Sequence, residues 1–257
     1  MKSLVKVKAL LTSNPHNPSG RIIPKETLIE YGKFCEKHDI HFISDEIYAL
    51  STFANRDIPH PIEFISASSI DWECYGVNPF RIHVLVGASK DFGSCGLRVG
   101  SLISTNQNLV KAMLSSSLLM KLSSPADRLF RGILTDRPWL EWYIKENQKR
   151  LGESYNKVTE WCINMGIPYE KASAGFFILV DLRKWLPSHN KIGQKLSTQI
   201  EQLNELNKRM LDNKVLANPA TAYHHPVVGY YRLTHSLYPE IQQLGLDRLE
   251  KTLKEIV

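Results

Sequence analysis

The sequence predicts an α/β layer built on a mostly parallel sheet, followed by a second, α+β domain. Three observations carry this. Apolar runs of strand length alternate with helical patterns up to about Asn106. Beyond Asn106 long helical stretches take over and strands become sparse. The polar residues that end the early strands fall where open α/β sheets bind ligands.

Residues 5–12 are apolar and read as a buried strand. Residues 24–37 space Leu28, Ile29, Tyr31, Phe34 and Cys35 at helical intervals, with Pro24 suited to a first turn. Residues 41–44 form a short strand running into Asp45, and residues 81–88 and 99–104 form two more. Helices are expected over 106–121 and 138–165. A strand at 175–181, a helix around 194–212, a strand at 229–234 and a closing helix from Pro239 complete the chain. Ser123-Ser124-Pro125 marks the expected boundary, giving domains at 1–124 and 125–257. Residues 184–193 read as a surface loop, and Trp139 and Trp142 as packing residues on a long helix.

A chain of 257 residues with 43% hydrophobic and 23% charged content is long enough to bury a real core. No apolar run approaches the ~20 residues that a bilayer span requires. Lysines interrupt the N-terminus where a signal peptide needs its apolar stretch. Cys35, Cys74, Cys95 and Cys162 form no C-x-x-C pair, so neither a metal site nor a disulfide framework is expected. A reducing, cytoplasmic setting is the expectation. The net charge of +6 is spread without clusters longer than Lys149-Arg150, which points to no nucleic-acid module and suits anionic ligands.

Three strand ends carry polar groups in a row: residues 14–20 (NPHNPSG), residues 44–48 (SDEIY) and Ser89-Lys90. Each has an ordinary reading by itself. An Asn-Pro pair makes turns, an Asp at a strand end caps helices, and a lone lysine is solvated. Their order gives them meaning.

Together with ASKDFGSCGLRVGSL at 88–102, AGFFILVDLRKWLP at 174–187, LDNKVL at 211–216 and YYRLTHS at 230–236, they resemble the fold type I, class I/II aminotransferase family. Within it the resemblance is to the 1-aminocyclopropane-1-carboxylate (ACC) synthase-like branch. The segments run in the family's order over nearly the whole chain. The resemblance implies an α/β fold made of part of the large domain of a pyridoxal-phosphate (PLP) transferase, plus a C-terminal α+β small domain. It implies PLP as cofactor and an amino acid as substrate. The implied enzyme is a PLP-dependent transferase or lyase of amino-acid metabolism, biosynthetic in role and working as a homodimer or with a complementing chain.

The resemblance also implies roles. Lys90 would be the Schiff-base lysine and then the base at the substrate Cα; lysine suits this because its pKa falls readily on burial. Asp45 would pair with the pyridine nitrogen, and Tyr48 and Asn17 with the ring oxygen. Ser89 and Arg98 would hold the phosphate, with Gly93 and Gly96 letting the loop turn tightly. Arg232 would clamp the α-carboxylate, against the plainer reading of a half-buried arginine with a paired acid. Glu46 reads as structural, His16 receives no role, and His224-His225 read as loop residues near the site rather than as metal ligands.

Family members carry a long segment before the NPxNP motif, with the first strands, a phosphate-binding helix N-terminus and a ring-stacking aromatic residue. Met1 here comes just before the first strand, and Gly87 stands where many relatives have a serine. The expectation is open sheet edges and weaker PLP affinity. Two function classes follow: an enzyme acting at Cα, or a truncated, non-catalytic or partner-dependent protein of PLP fold.

Overall fold

The computed structural model describes residues 6–117 and 121–256. The chain divides into two compact units that interleave. One holds residues 6–16, 21–52, 61–117 and 121–148; the other holds 17–20, 53–60 and 149–256. A single boundary at 124 does not describe this arrangement, because two short segments of the first half belong with the second unit.

In the first unit β1 (Ala9–Ser13), β2 (His41–Asp45), β3 (Ile82–Gly87) and β4 (Gly100–Ser104) form one sheet in that order. The first three strands are parallel and β4 runs antiparallel to β3. The register sets Asp45 against Ser13 on one side and Leu85 on the other. β1 is shorter than the apolar pattern suggests: Val7 is exposed, and Val5 lies outside the described residues.

α1 (Lys25–Lys37) follows Pro24, which sits at its N-cap. Its buried face, Leu28, Ile29 and Cys35, packs with Phe42, Trp72, Ile82 and Val84 in one core. α2 (Gln107–Ser117) is largely exposed; residues 118–120 of the expected helix lie outside the described residues.

The Ser123-Ser124-Pro125 run is a helix start rather than a linker. Ser123 caps α3 (Ser124–Thr135) by accepting from the Ala126 amide, with proline in the first turn. Serine as cap and proline just inside are a physical signature of helix entry. α4 (Arg137–Asn164) follows. Trp139 stacks on Tyr143 and lies against the ring of Trp142 at 6.5 Å, although Trp142 is more than half exposed. Among the described residues no helix is long and apolar enough to cross a membrane.

The second unit is an α+β layer. β5 (Phe177–Asp181), β6 (Asn218–Pro219) and β7 (Tyr230–Thr234) form an antiparallel sheet in the order β5-β7-β6. α5 (Gln199–Asp212) opens with a complete capping box between Thr198 and Glu201, and α6 (Pro239–Lys254) closes the chain. One core joins Tyr155, Ile178, Val180, Leu206, Tyr231, Leu249 and Leu253. The 184–193 stretch is only partly a surface loop, since Trp185 is buried in that core.

The inserted segments are held by hydrogen bonds. Asp57 Oδ2 accepts from the Tyr155 and Tyr169 hydroxyls at 3.0 and 2.9 Å. The Gly20 carbonyl accepts from the Ser173 and Ala174 amides, each at 3.0 Å.

Candidate active site

In the first unit the parallel strands β2 and β3 are neighbours, so their carboxyl ends lie side by side. Asp45 is the last residue of β2. Its Oδ1 accepts from the Ile47 amide at 3.2 Å, and partial burial pushes its carboxyl above the ordinary range. The next turn buries Tyr48, closed by Ala49 and Ser51 amides donating to the Glu46 and Tyr48 carbonyls at 3.0 Å. Glu46 is buried and accepts from the Ala67 amide at 2.8 Å, a setting that ties two backbone segments together.

The loop that leaves β3 carries Ser89, Lys90 and Arg98. It is closed by Ala88 N to Val99 O at 3.1 Å, Ser94 N to Ala88 O at 3.1 Å and Gly93 N to Lys90 O at 3.0 Å. Gly93 sits at φ +58°, where a side chain would be strained. Gly96 does not share this role: it lies in a 3₁₀ turn, and the second left-handed residue of the loop is Arg98 at φ +55°.

Lys90 is exposed, not buried, and among the described residues its ammonium has no hydrogen-bond or ion-pair partner. Arg98 is exposed as well. Its Nη1 donates to the Cys95 carbonyl at 3.1 Å, and among the described residues no carboxylate pairs with it. The one carboxylate of residues 88–99, Asp91, is buried and turned toward the Tyr48 turn. The loop therefore presents a hydroxyl, an ammonium and a guanidinium with no acid between them, which is an anion-binding chemistry.

Asn17 and Arg232 belong to the second unit and touch each other. Arg232 Nη1 donates to Asn17 Oδ1 at 3.0 Å. The guanidinium lies 4.1 Å from the Phe177 ring centroid and 4.5 Å from that of Tyr223. Its Nε is buried with no partner, and no acid among the described residues pairs with it. The plain reading of Arg232 as one half of an internal ion pair is thus not what the structure contains. A cation lying over two aromatic rings, with no acid to neutralise its charge among the described residues, is matched to a planar anion such as a carboxylate.

Sequence reasoning missed Asp91, Tyr143, Phe177 and Tyr223. Asp91 stood in plain view beside Lys90, but only the fold shows that it is buried. Tyr223 ends the short turn before His224; His225 packs on Tyr230 at 4.5 Å and accepts from the Val227 amide. Among the described residues no group of three or more His, Cys, Asp or Glu could hold a metal ion.

The first unit is an α/β sheet with polar and charged groups beyond its carboxyl edge, and the second is an α+β unit whose Arg232 pairs with no acid among the described residues. The chain belongs to the aminotransferase class I and II family, whose family model matches residues 2–240. This is the family that the motifs resemble.

The chain is similar to 1-aminocyclopropane-1-carboxylate synthase-like protein 1 of Homo sapiens: 36% identical over 250 residues, 97% of this chain and 46% of that protein. It is 31% identical over 229 residues to 1-aminocyclopropane-1-carboxylate synthase 6 of Oryza sativa subsp. japonica, covering 89% of this chain and 40% of that one. An aspartate aminotransferase double mutant from Thermus thermophilus matches 95% of this chain and 56% of its own with a TM-score of 0.76 at 22% identity. An aromatic aminotransferase from Pyrococcus horikoshii matches 96% of this chain and 60% of its own, with a TM-score of 0.77 at 22% identity. At that identity the two structures speak to the fold. The chain spans about half the length of the curated relatives it matches.

Proposed function

We propose that this chain carries the lysine-bearing part of a PLP-dependent transferase or lyase acting at the Cα of an amino acid, of the ACC synthase-like kind. The observation that carries this reading is the 88–99 loop: among the described residues no acid pairs with its Lys90 or Arg98, and the loop stands with Ser89 beside the carboxyl end of the strand that bears Asp45. Family membership supports it.

The residues present fit the cofactor. When bound, PLP supplies an electron sink for the pair left at Cα. Lys90 would hold it through its ε-amine and would take the Cα proton on Nζ. Burial makes a bare Asp45 carboxylate costly, so a protonated ring nitrogen is the partner that would satisfy it. The Tyr48 hydroxyl of the first unit and the Asn17 amide of the second would serve the ring oxygen. Ser89 and Arg98 would take the phosphate, and Arg232 would take the substrate α-carboxylate. The four cysteines are unpaired, which suits a cytoplasmic location.

Titrating purified protein with PLP and following its visible absorbance tests this. The parent protein is expected to shift the spectrum and Lys90→Ala to leave it unchanged. An equal shift in the variant would assign the chemistry to another lysine.

A second reading has its own support. β1 and β4 are the edges of their sheet, and Leu11, Ile103, Leu129 and Trp142 are each about half exposed. Open edges and exposed apolar side chains favour assembly. On this reading the chain acts with a second copy or a complementing chain. Sedimentation of the purified protein as a monomer at every concentration would contradict self-assembly.

A further inference from the structure

We propose that Asp91 is a positioning residue: its carboxylate locks the loop that carries Lys90 to the turn that carries Tyr48, so that the two groups are held as one piece. The inference deepens the functional reading above and rests on it for the roles of Lys90 and Tyr48.

Lys90 and Asp91 are adjacent but face opposite ways. The lysine is exposed, and the aspartate is 5% exposed. Asp91 Oδ1 accepts from the Ser51 hydroxyl at 2.6 Å, and Oδ2 accepts from the Leu50 amide at 3.0 Å. Both donors lie within three residues of Tyr48, in the turn whose Ser51 amide donates to the Tyr48 carbonyl. The Cα next to Lys90 is therefore pinned by a two-oxygen contact to the backbone that carries Tyr48. Short bonds to a buried carboxylate are the stronger kind of hydrogen bond.

α4 fixes the same pair of segments from a third side. The Tyr143 hydroxyl donates to the Asp91 carbonyl at 2.9 Å. Phe92 stacks on the Tyr143 ring at 5.6 Å and 11°, and Trp139 stacks on the same ring at 5.0 Å and 13°. One turn further along, Gln148 Nε2 donates to the Leu50 carbonyl at 3.3 Å and to Thr52 Oγ1 at 3.1 Å. Helix, loop and turn form a closed triangle, and the Asp91 carboxylate is the side that joins loop to turn, through the Leu50 amide and the Ser51 hydroxyl.

Three variants of the full chain test this: Asp91→Ala, Asp91→Asn and Ser51→Ala. Asparagine can accept from the Leu50 amide through its oxygen and donate to Ser51 Oγ through its nitrogen, so it should restore the lock. Two readouts apply. The first is capture of PLP at Lys90, measured by borohydride reduction and peptide mass. The second is amide hydrogen exchange across residues 48–52 and 89–94. Asp91→Ala is expected to weaken capture about tenfold, the scale of one lost buried charged hydrogen bond, and to speed exchange in both segments together. Ser51→Ala should do the same to a smaller degree, and Asp91→Asn should remain close to the parent.

Capture in Asp91→Ala equal to the parent's, or faster exchange confined to 48–52, would overturn the proposal. If the parent itself captures no PLP at Lys90, the functional reading fails. The lock is then still decided by exchange: joint acceleration of the two segments upholds it, and acceleration of one alone refutes it.

Discussion

Arg232 and Asn17, 215 residues apart in the chain, are joined by a hydrogen bond of 3.0 Å. The contact adds a directional hold to a guanidinium that already lies against the Phe177 and Tyr223 rings, and makes it a fixed fork. A fork held in one orientation binds a carboxylate with little further ordering.

Arg232→Lys keeps the charge and loses both the planar fork and the ring stacking. The KM for an α-amino acid is expected to rise about tenfold or more. Turnover of an amine that lacks the carboxylate should not change. Steady-state kinetics with both compounds decides it, and equal effects on the two would remove Arg232 from carboxylate binding.

Gly20 fixes the short segment that carries Asn17. It sits at φ +63°, and a Cβ there would lie 2.6 Å from Ala172 Cβ and 2.7 Å from the Ala174 carbonyl oxygen. Backbone strain and a clash with main chain act together. Gly20→Ala is expected to cost about 1–3 kcal/mol of stability, seen as a lower urea midpoint. A midpoint equal to the parent's would mean that the segment shifts freely.

Two buried groups give stability opposite pH dependences. Burial first, and then the His41 ring, lowers the His83 pKa from 6.5 to about 4. Between these values the unfolded chain binds the proton and the fold does not. The His83 contribution is therefore complete above 6.5 and is lost as pH falls toward 4. Burial pushes Asp91 up to about 6 from 3.8, so the fold holds a proton that the unfolded chain releases. Its contribution is complete below 3.8 and is lost as pH rises through about 6. Urea midpoints across this window should show the acid-side loss reduced in His83→Gln and made steeper in Asp91→Asn. The reverse order would contradict the burial of both groups.

Much of the first sheet was legible because its strands are apolar runs bounded by turn residues. β2, β3 and β4 fall within a residue or two of the expected ends. α3 was not legible as a helix because Ser-Ser-Pro serves linkers and helix starts alike; the cap at Ser123 decides only in three dimensions. β6 has two residues and no pattern of its own, and it exists through its pairing with Tyr231 and Arg232. Site residues at strand ends could be picked out from Asp45 and Lys90 because polar groups after apolar runs are conspicuous. The burial of Asp91, the rings around Arg232 and the membership of Asn17 in the second unit come from long-range packing, which no local window contains.

The central claim is that Lys90 is the lysine that engages PLP. Incubation of the full chain with PLP, reduction with borohydride and mass mapping of the peptides tests it most directly. A stable pyridoxyl label is expected on the peptide that contains Lys90, and absent from that peptide in Lys90→Ala. A label spread over other lysines with Lys90 unmodified would contradict it.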